Sequence, residues 1–195
     1  MTRNIIILLV TMLCGAGLTY LFDYTQNKPP YASVVSDAGG VDGEAVPDFT
    51  FKSLDGTERA IHDFRGKIVV LNFWASWCAP CVKEFPLFLE MASEYKDNLV
   101  FIGLSSDHDL TAMNRFLDKM RKAHHDAMAA DNVLIAVDED AAVTQDVFQT
   151  FRLPETIIID QNGLMREKLV GASWNYADIK KIVTMIEETA KEPLE

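Results

Sequence analysis

The sequence predicts an α/β fold: a central mixed β-sheet flanked by helices on both faces, with a short β extension at the N-terminal side. Three observations predict it. Ile68-Val69-Val70-Leu71-Asn72-Phe73-Trp74 is an apolar, β-branched run suited to a strand buried on both faces. Strand-like and helix-like segments alternate after it. A strand, a turn at Gln161-Asn162-Gly163, another strand and a final helix then close the chain, which makes the sheet mixed.

The elements follow in order. Val46-Pro47-Asp48-Phe49-Thr50-Phe51 opens the domain as a short strand, Asp55-Gly56 is a hairpin turn signal, and residues 61–67 lead compactly into the central strand. A polar break at Ala75-Ser76 precedes Trp77-Cys78-Ala79-Pro80-Cys81. Helical spacing continues from there past Pro86, with a kink, to Tyr95. Residues 99–104 form a second strand. Residues 110–128 form a helix with Leu110, Met113, Leu117 and Met120 on one face. A third strand at 133–137, a short helix at 141–151 and strands at 156–160 and 164–170 follow. The last helix, 176–190, packs through Ile179, Ile182, Val183 and Ile186.

The N-terminus has a different character. Residues 1–4 carry one basic side chain, and residues 5–22 run 18 positions without a charge. That length and the bulk of Leu18 to Phe22 favour an uncleaved membrane anchor over a cleaved signal peptide. Residues 1–4 then lie in the cytoplasm and the domain outside it. Cys14 follows Leu13 rather than a small residue, so it is an inert buried thiol and not a lipid attachment site. Residues 23–45, with Pro29-Pro30 and Gly39-Gly40, are a flexible linker to a domain spanning 46–195. The net charge of −11 gives nucleic-acid binding no electrostatic support.

Three cysteines are too few for a disulfide scaffold, so the Cys78/Cys81 pair is reactive rather than structural. Zinc needs four ligands, and no second cysteine pair exists to supply them. Cys78 sits where a helix begins, and the unpaired N–H groups and macrodipole there favour a thiolate. It is the candidate nucleophile, and Cys81, one turn into the helix, resolves the mixed disulfide. Glu84 is three residues beyond Cys81 on the same helix face. It is positioned to tune the thiols or move a proton. Trp74 is a core residue and Trp77 covers the pair with an apolar surface. His124, His125 and Met128 are soft or borderline metal ligands, but nothing makes them converge with the cysteines, and a polar helix end is the reading taken.

Trp77-Cys78-Ala79-Pro80-Cys81 with Glu84-Phe85-Pro86 resembles the thioredoxin superfamily, and within it the membrane-anchored TlpA/ResA/CcmG-type thiol–disulfide oxidoreductases. Pro47-Asp48-Phe49, Asp63-Phe64-Arg65-Gly66-Lys67 and Leu153-Pro154-Glu155-Thr156 are similar to segments of that branch. The resemblance covers residues 46–190 and implies a thioredoxin-like fold. It implies a cis Pro154 opposite Cys78, with Leu153 and Glu155 beside it at the rim of a substrate-binding surface. It implies no cofactor beyond the redox-active pair and no metal. It further implies a protein-disulfide reductase in the bacterial periplasm, single-pass in the inner membrane, which takes electrons from a transmembrane thiol donor. Its protein substrates would be apocytochrome c CxxCH segments or the cysteine pair of an oxidase copper site. A copper metallochaperone and a thiol oxidase are the alternatives. Residues 107–132 are longer than in smaller members and leave the substrate surface open.

Overall fold

The computed structural model describes residues 43–138 and 140–189. In chain order the strands are β1 (Glu44–Ala45), β2 (Thr50–Lys52), β3 (Glu58–Ala60), β4 (Ile68–Trp74), β5 (Leu99–Ser105), β6 (Val133–Val137), β7 (Glu155–Ile159) and β8 (Leu164–Val170). The α-helices are α1 (Ala79–Glu94), α2 (Leu110–Ala123), α3 (His125–Met128) and α4 (Tyr176–Thr189). Six strands make one mixed sheet in the order β1-β8-β7-β4-β5-β6. β4, β5 and β6 run parallel, because α1 and then α2–α3 supply crossovers long enough to return the chain. β7 and β8 pair antiparallel across a tight turn at Gly163 (φ 73°), so the sheet is mixed. β2 and β3 form a separate hairpin that touches the β6 edge through Leu54 N–H to the Ile135 carbonyl, 2.8 Å.

Alternation along β4 builds two cores from one strand. Val70 and Trp74 join Phe85 and Phe88 of α1, Phe116 of α2 and Val183 of α4. Val69, Leu71 and Phe73 face the other way, against Phe49, Phe51, Ile61 and Phe148. Every residue of β4 is buried, as a two-faced central strand requires. Helical elements therefore flank both faces, unequally. The long α-helices lie on one face, and the other is covered by the hairpin, a 3-10 turn at Ile61–Phe64 and a π-helical turn at Ala142–Val147. Trp74, Phe85 and Phe116 meet with ring centroids 4.8–5.2 Å apart. Each such pair contributes about 0.5–1.5 kcal/mol beyond its buried area, and together they lock the start of α1 onto the end of β4.

The fold departs from the sequence expectations in several places; of the strand expected over residues 46–51, only Thr50 and Phe51 lie in β2. Glu44 and Ala45, assigned to the linker, pair with Met165 and Leu164 of β8, so the folded region begins before residue 46. The expected helix over 110–128 breaks at His124 (φ −132°, ψ 50°), since Ala123-His124-His125-Asp126 is poor in helix formers after its first residue. The helix expected over 141–151 is the single π-helical turn, bounded by left-handed Ala141 and Gln149 (φ 53° each). Asp138 explains it: its carboxyl takes the N–H groups of Val143 and Thr144 and the Thr144 hydroxyl, which fixes that turn. The anchor at 5–22, Cys14 and the linker as far as residue 42 lie outside the described residues.

Candidate active site

The site is built where β4 ends. Asp107 is wholly buried and gathers the turn that leaves the strand. Its carboxyl accepts from the Ser76 N–H, the Ser76 hydroxyl and the Ser105 hydroxyl, each at 2.7 Å. Ser106 N–H closes the same corner onto the Trp74 carbonyl at 2.9 Å. Two residues after Ser76, Cys78 leaves the extended region (φ −87°, ψ 100°) as the N-cap of α1, and Pro80 occupies the first turn at no hydrogen-bond cost.

Cys78 and Cys81 are joined by a disulfide, with Cα atoms 5.3 Å apart. Cys78 Sγ also accepts from the Cys81 N–H at 3.3 Å, so the sulfur caps the helix as a serine hydroxyl would. A thiolate at position 78 would take the same bond and face the positive end of the helix. Cys78 keeps 6% of its surface and Cys81 none. Attack from outside therefore reaches Cys78 first. Trp77 is not folded over the pair; it is 67% exposed and presents an apolar face to solvent beside it.

Glu84 lies one turn beyond Cys81, on the face of α1 that meets the sheet, and is 4% exposed. Its Oε1 accepts from Asn72 Nδ2 at 3.1 Å, and Asn72 Nδ2 also donates to Thr156 Oγ1 at 3.0 Å. Alternation explains the meeting: Asn72 shares the Val70/Trp74 face of β4, and Thr156 shares the Ile158 face of β7. Burial pushes the Glu84 carboxyl up to about 8, and the Asn72 hydrogen bond only partly offsets it. Near neutral pH this side chain is therefore mostly protonated. Its second oxygen, Oε2, has no partner among the described residues and is where the proton can be held or released. Glu84 is thus a mostly neutral buried acid rather than the standing negative charge that its type suggests.

The Leu153–Pro154 bond is cis. Pro154 is buried and its carbonyl accepts from Gly171 N–H at 2.8 Å, while no hydrogen bond within the described residues uses the N–H or C=O of Leu153. Leu153 packs against the cluster that contains Cys78 and Cys81. Glu155 does not stand at that rim. It is 4% exposed, accepts from the Thr150 hydroxyl and pairs with Lys168 Nζ at 3.0 Å. Its position two residues before Ile157 puts it on the sheet face opposite Asn72 and Thr156, away from the helix that carries the cysteines.

Two residues of the site were missed from sequence. Asn72 had a signal, as the one polar residue in an otherwise apolar strand. Asp107 had none, because its partner Ser76 is 31 residues away. His124 and His125 line one groove, with His125 bonded to Asp126 at 3.1 Å, and Met128 lines another while its N–H bonds the His124 carbonyl at 2.9 Å.

The fold and this geometry agree with what known proteins show. The Redoxin family model matches residues 41–186. The thioredoxin-like protein YneN of Bacillus subtilis is 29% identical over 159 residues, covering 82% of this chain and 89% of its own. The thiol-disulfide oxidoreductase ResA of Bacillus cereus is 30% identical over 170 residues, covering 86% of each chain. Among solved structures, a Chlorobium tepidum protein assigned as the thiol:disulfide interchange protein DsbE superposes with a TM-score of 0.60 at 27% identity. That match covers 76% of this chain and 96% of the other. With a helix-capping disulfide on this scaffold and relatives of this kind along nearly its whole described length, the chain belongs to the Redoxin family, as a thioredoxin-superfamily thiol–disulfide oxidoreductase of the TlpA/ResA/CcmG type.

Proposed function

We propose that the protein is a membrane-tethered reductase of protein disulfides in the periplasm. One observation carries the direction: Glu84, buried beneath the pair, is held protonated up to about pH 8 by desolvation. The same poorly solvated surroundings penalise a thiolate at Cys81, which has no exposed surface. Destabilising the reduced, charged form favours the disulfide and makes the dithiol a better electron donor. The helix N-terminus acts the other way at Cys78, where a nucleophilic thiolate is needed.

The chemistry balances as a two-electron exchange. The Cys78 thiolate attacks one sulfur of the substrate disulfide, and the other substrate sulfur leaves as a thiolate that takes a proton. Glu84, when deprotonated, can accept the Cys81 proton. The resulting thiolate attacks Cys78 Sγ, closing the Cys78–Cys81 disulfide and releasing the second substrate thiolate. Two electrons then return from a transmembrane thiol donor. In that step Cys81 leaves as a thiolate and Glu84, protonated again, supplies its proton. Free backbone groups at Leu153 support docking of an extended segment, with Trp77 as an exposed apolar contact.

The resemblance to TlpA/ResA/CcmG-type proteins suggests two substrate classes, apocytochrome c CxxCH segments and the cysteine pair of an oxidase copper site; the relatives' names support thiol–disulfide exchange itself. Residues 5–22 would hold the protein in the bacterial inner membrane. The test is trapping. Full-length protein with Cys81→Ser, expressed in cells, is expected to accumulate mixed disulfides through Cys78 with periplasmic cysteine-pair proteins, and to lose them when Cys78 is also replaced. Capture of cytosolic proteins, or no capture, contradicts the proposal.

A further inference from the structure

A groove of about 530 Å³ opens between α1 and α2. Ser76, two residues before the nucleophile, is at its wall, and Val82 and Phe116 give it an apolar lining. Arg115, Lys119 and Lys122 also line it. Their spacing, i, i+4, i+7, sets all three on one stripe of α2. Each is exposed, and none has an ion-pair partner among the described residues. The one acidic group in the lining, Asp118, is already paired with Arg121 at 2.9 Å. A chain of net charge −11 therefore presents three cations without ion-pair partners among the described residues on one face of α2, around a groove whose wall includes Ser76.

We infer that this groove is a docking site for an acidic stretch of the substrate polypeptide, lying next in sequence to the cysteine pair being reduced. The inference rests on the reductase reading and names its substrate class. A concave, partly apolar trough suits a peptide chain, whose side chains can reach Val82 and Phe116, better than it suits a flat bilayer surface. The wall at Ser76 puts an occupant within a few residues of the sulfur that is attacked. Unpaired cations at such a site raise the encounter rate with acidic partners, and salt removes that gain.

The test uses the full-length reduced protein in non-ionic detergent and two disulfide peptides of equal length. One has Asp and Glu flanking its cysteines, the other Lys. The acidic peptide is expected to react about tenfold faster at low ionic strength, and the difference to shrink in 0.5 M salt. Combined Arg115→Gln, Lys119→Gln and Lys122→Gln substitutions should bring the ratio of the two rates close to one, and the corresponding Glu substitutions should invert it. Because the readout is a ratio within one preparation, partial unfolding does not imitate it. A wild-type ratio near one, or a ratio unmoved by the substitutions, overturns the docking site while leaving the reductase intact. If rates change only when phosphatidylglycerol is added to the micelles, the cations serve a membrane surface and the inference fails. Absence of exchange with both peptides and with the uncharged 2-hydroxyethyl disulfide overturns the reductase reading itself, and this inference with it.

Discussion

Glu84→Gln is expected to flatten two pH profiles at once. Glutamine keeps an oxygen for the Asn72 amide but cannot titrate. In the folded protein the Glu84 carboxyl titrates at about 8, raised from 4.5 by burial. Its contribution to stability is therefore fully present below about pH 4.5 and is lost as the pH rises through 8, because the unfolded chain ionises first. At 1.36 kcal/mol per unit the span is on the order of 5 kcal/mol as an upper bound. Wild-type stability in urea should fall across that window, and the Gln variant should fall much less. The kinetic counterpart is a break near pH 8 in the rate at which a thiol donor reduces the Cys78–Cys81 disulfide. The variant should lack the break and be slower below it, by roughly a hundredfold if proton supply to Cys81 is limiting. Thiol titration should move down as well, since a carboxylate no longer forms under the pair above pH 8. Identical pH profiles for the two proteins would remove Glu84 from the proton pathway.

Asp107→Asn is expected to give the second large effect, on the fold around the site rather than on protons. The substitution keeps the shape and replaces one acceptor oxygen with an NH2 group that faces serine donors. The Ser76 N–H, the Ser76 hydroxyl and the Ser105 hydroxyl then compete for one oxygen in a wholly buried corner. Leaving buried donors unmatched costs about 1–3 kcal/mol apiece, so a loss of about 3 kcal/mol and a fall in Tm on the order of 10 °C are expected. Ser76→Ala removes only the hydroxyl bond and should cost about 1 kcal/mol. If Asp107→Asn costs no more than Ser76→Ala in a thermal melt, Asp107 does not hold the turn that presents Cys78.

How much of this was legible in the sequence depended on whether the causes were local. β4 and the start of α1 were read correctly, because a buried strand and a proline in a first helical turn leave short-range patterns. The position of Glu84 on the cysteine-bearing helix followed from spacing, but its ionisation did not. That depends on how deeply α1 beds against β4 and on Asn72. Glu155 was set at the rim by the resemblance; alternation with Ile157 assigns it instead to the far face, where it is buried. Asp107 and Asp138 act through partners that only the folded chain brings close or orients. The helix break at His124 and the π-helical turn at 142–147 reflect side-chain capture of backbone donors and weak helix formers, not an interruption of the apolar pattern. The stripe of Arg115, Lys119 and Lys122 was visible as charges, yet only the structure sets it beside Ser76.

The central claim is that this pair gives electrons rather than takes them. The direct measurement is the reduction potential of the Cys78–Cys81 couple in the full-length protein, equilibrated against defined thiol buffers at pH 7. A value below about −200 mV, as reducing as the glutaredoxins or more so, is predicted from the burial of Cys81 above a protonated Glu84. A value near about −120 mV, that of the strong thiol oxidants, would contradict it.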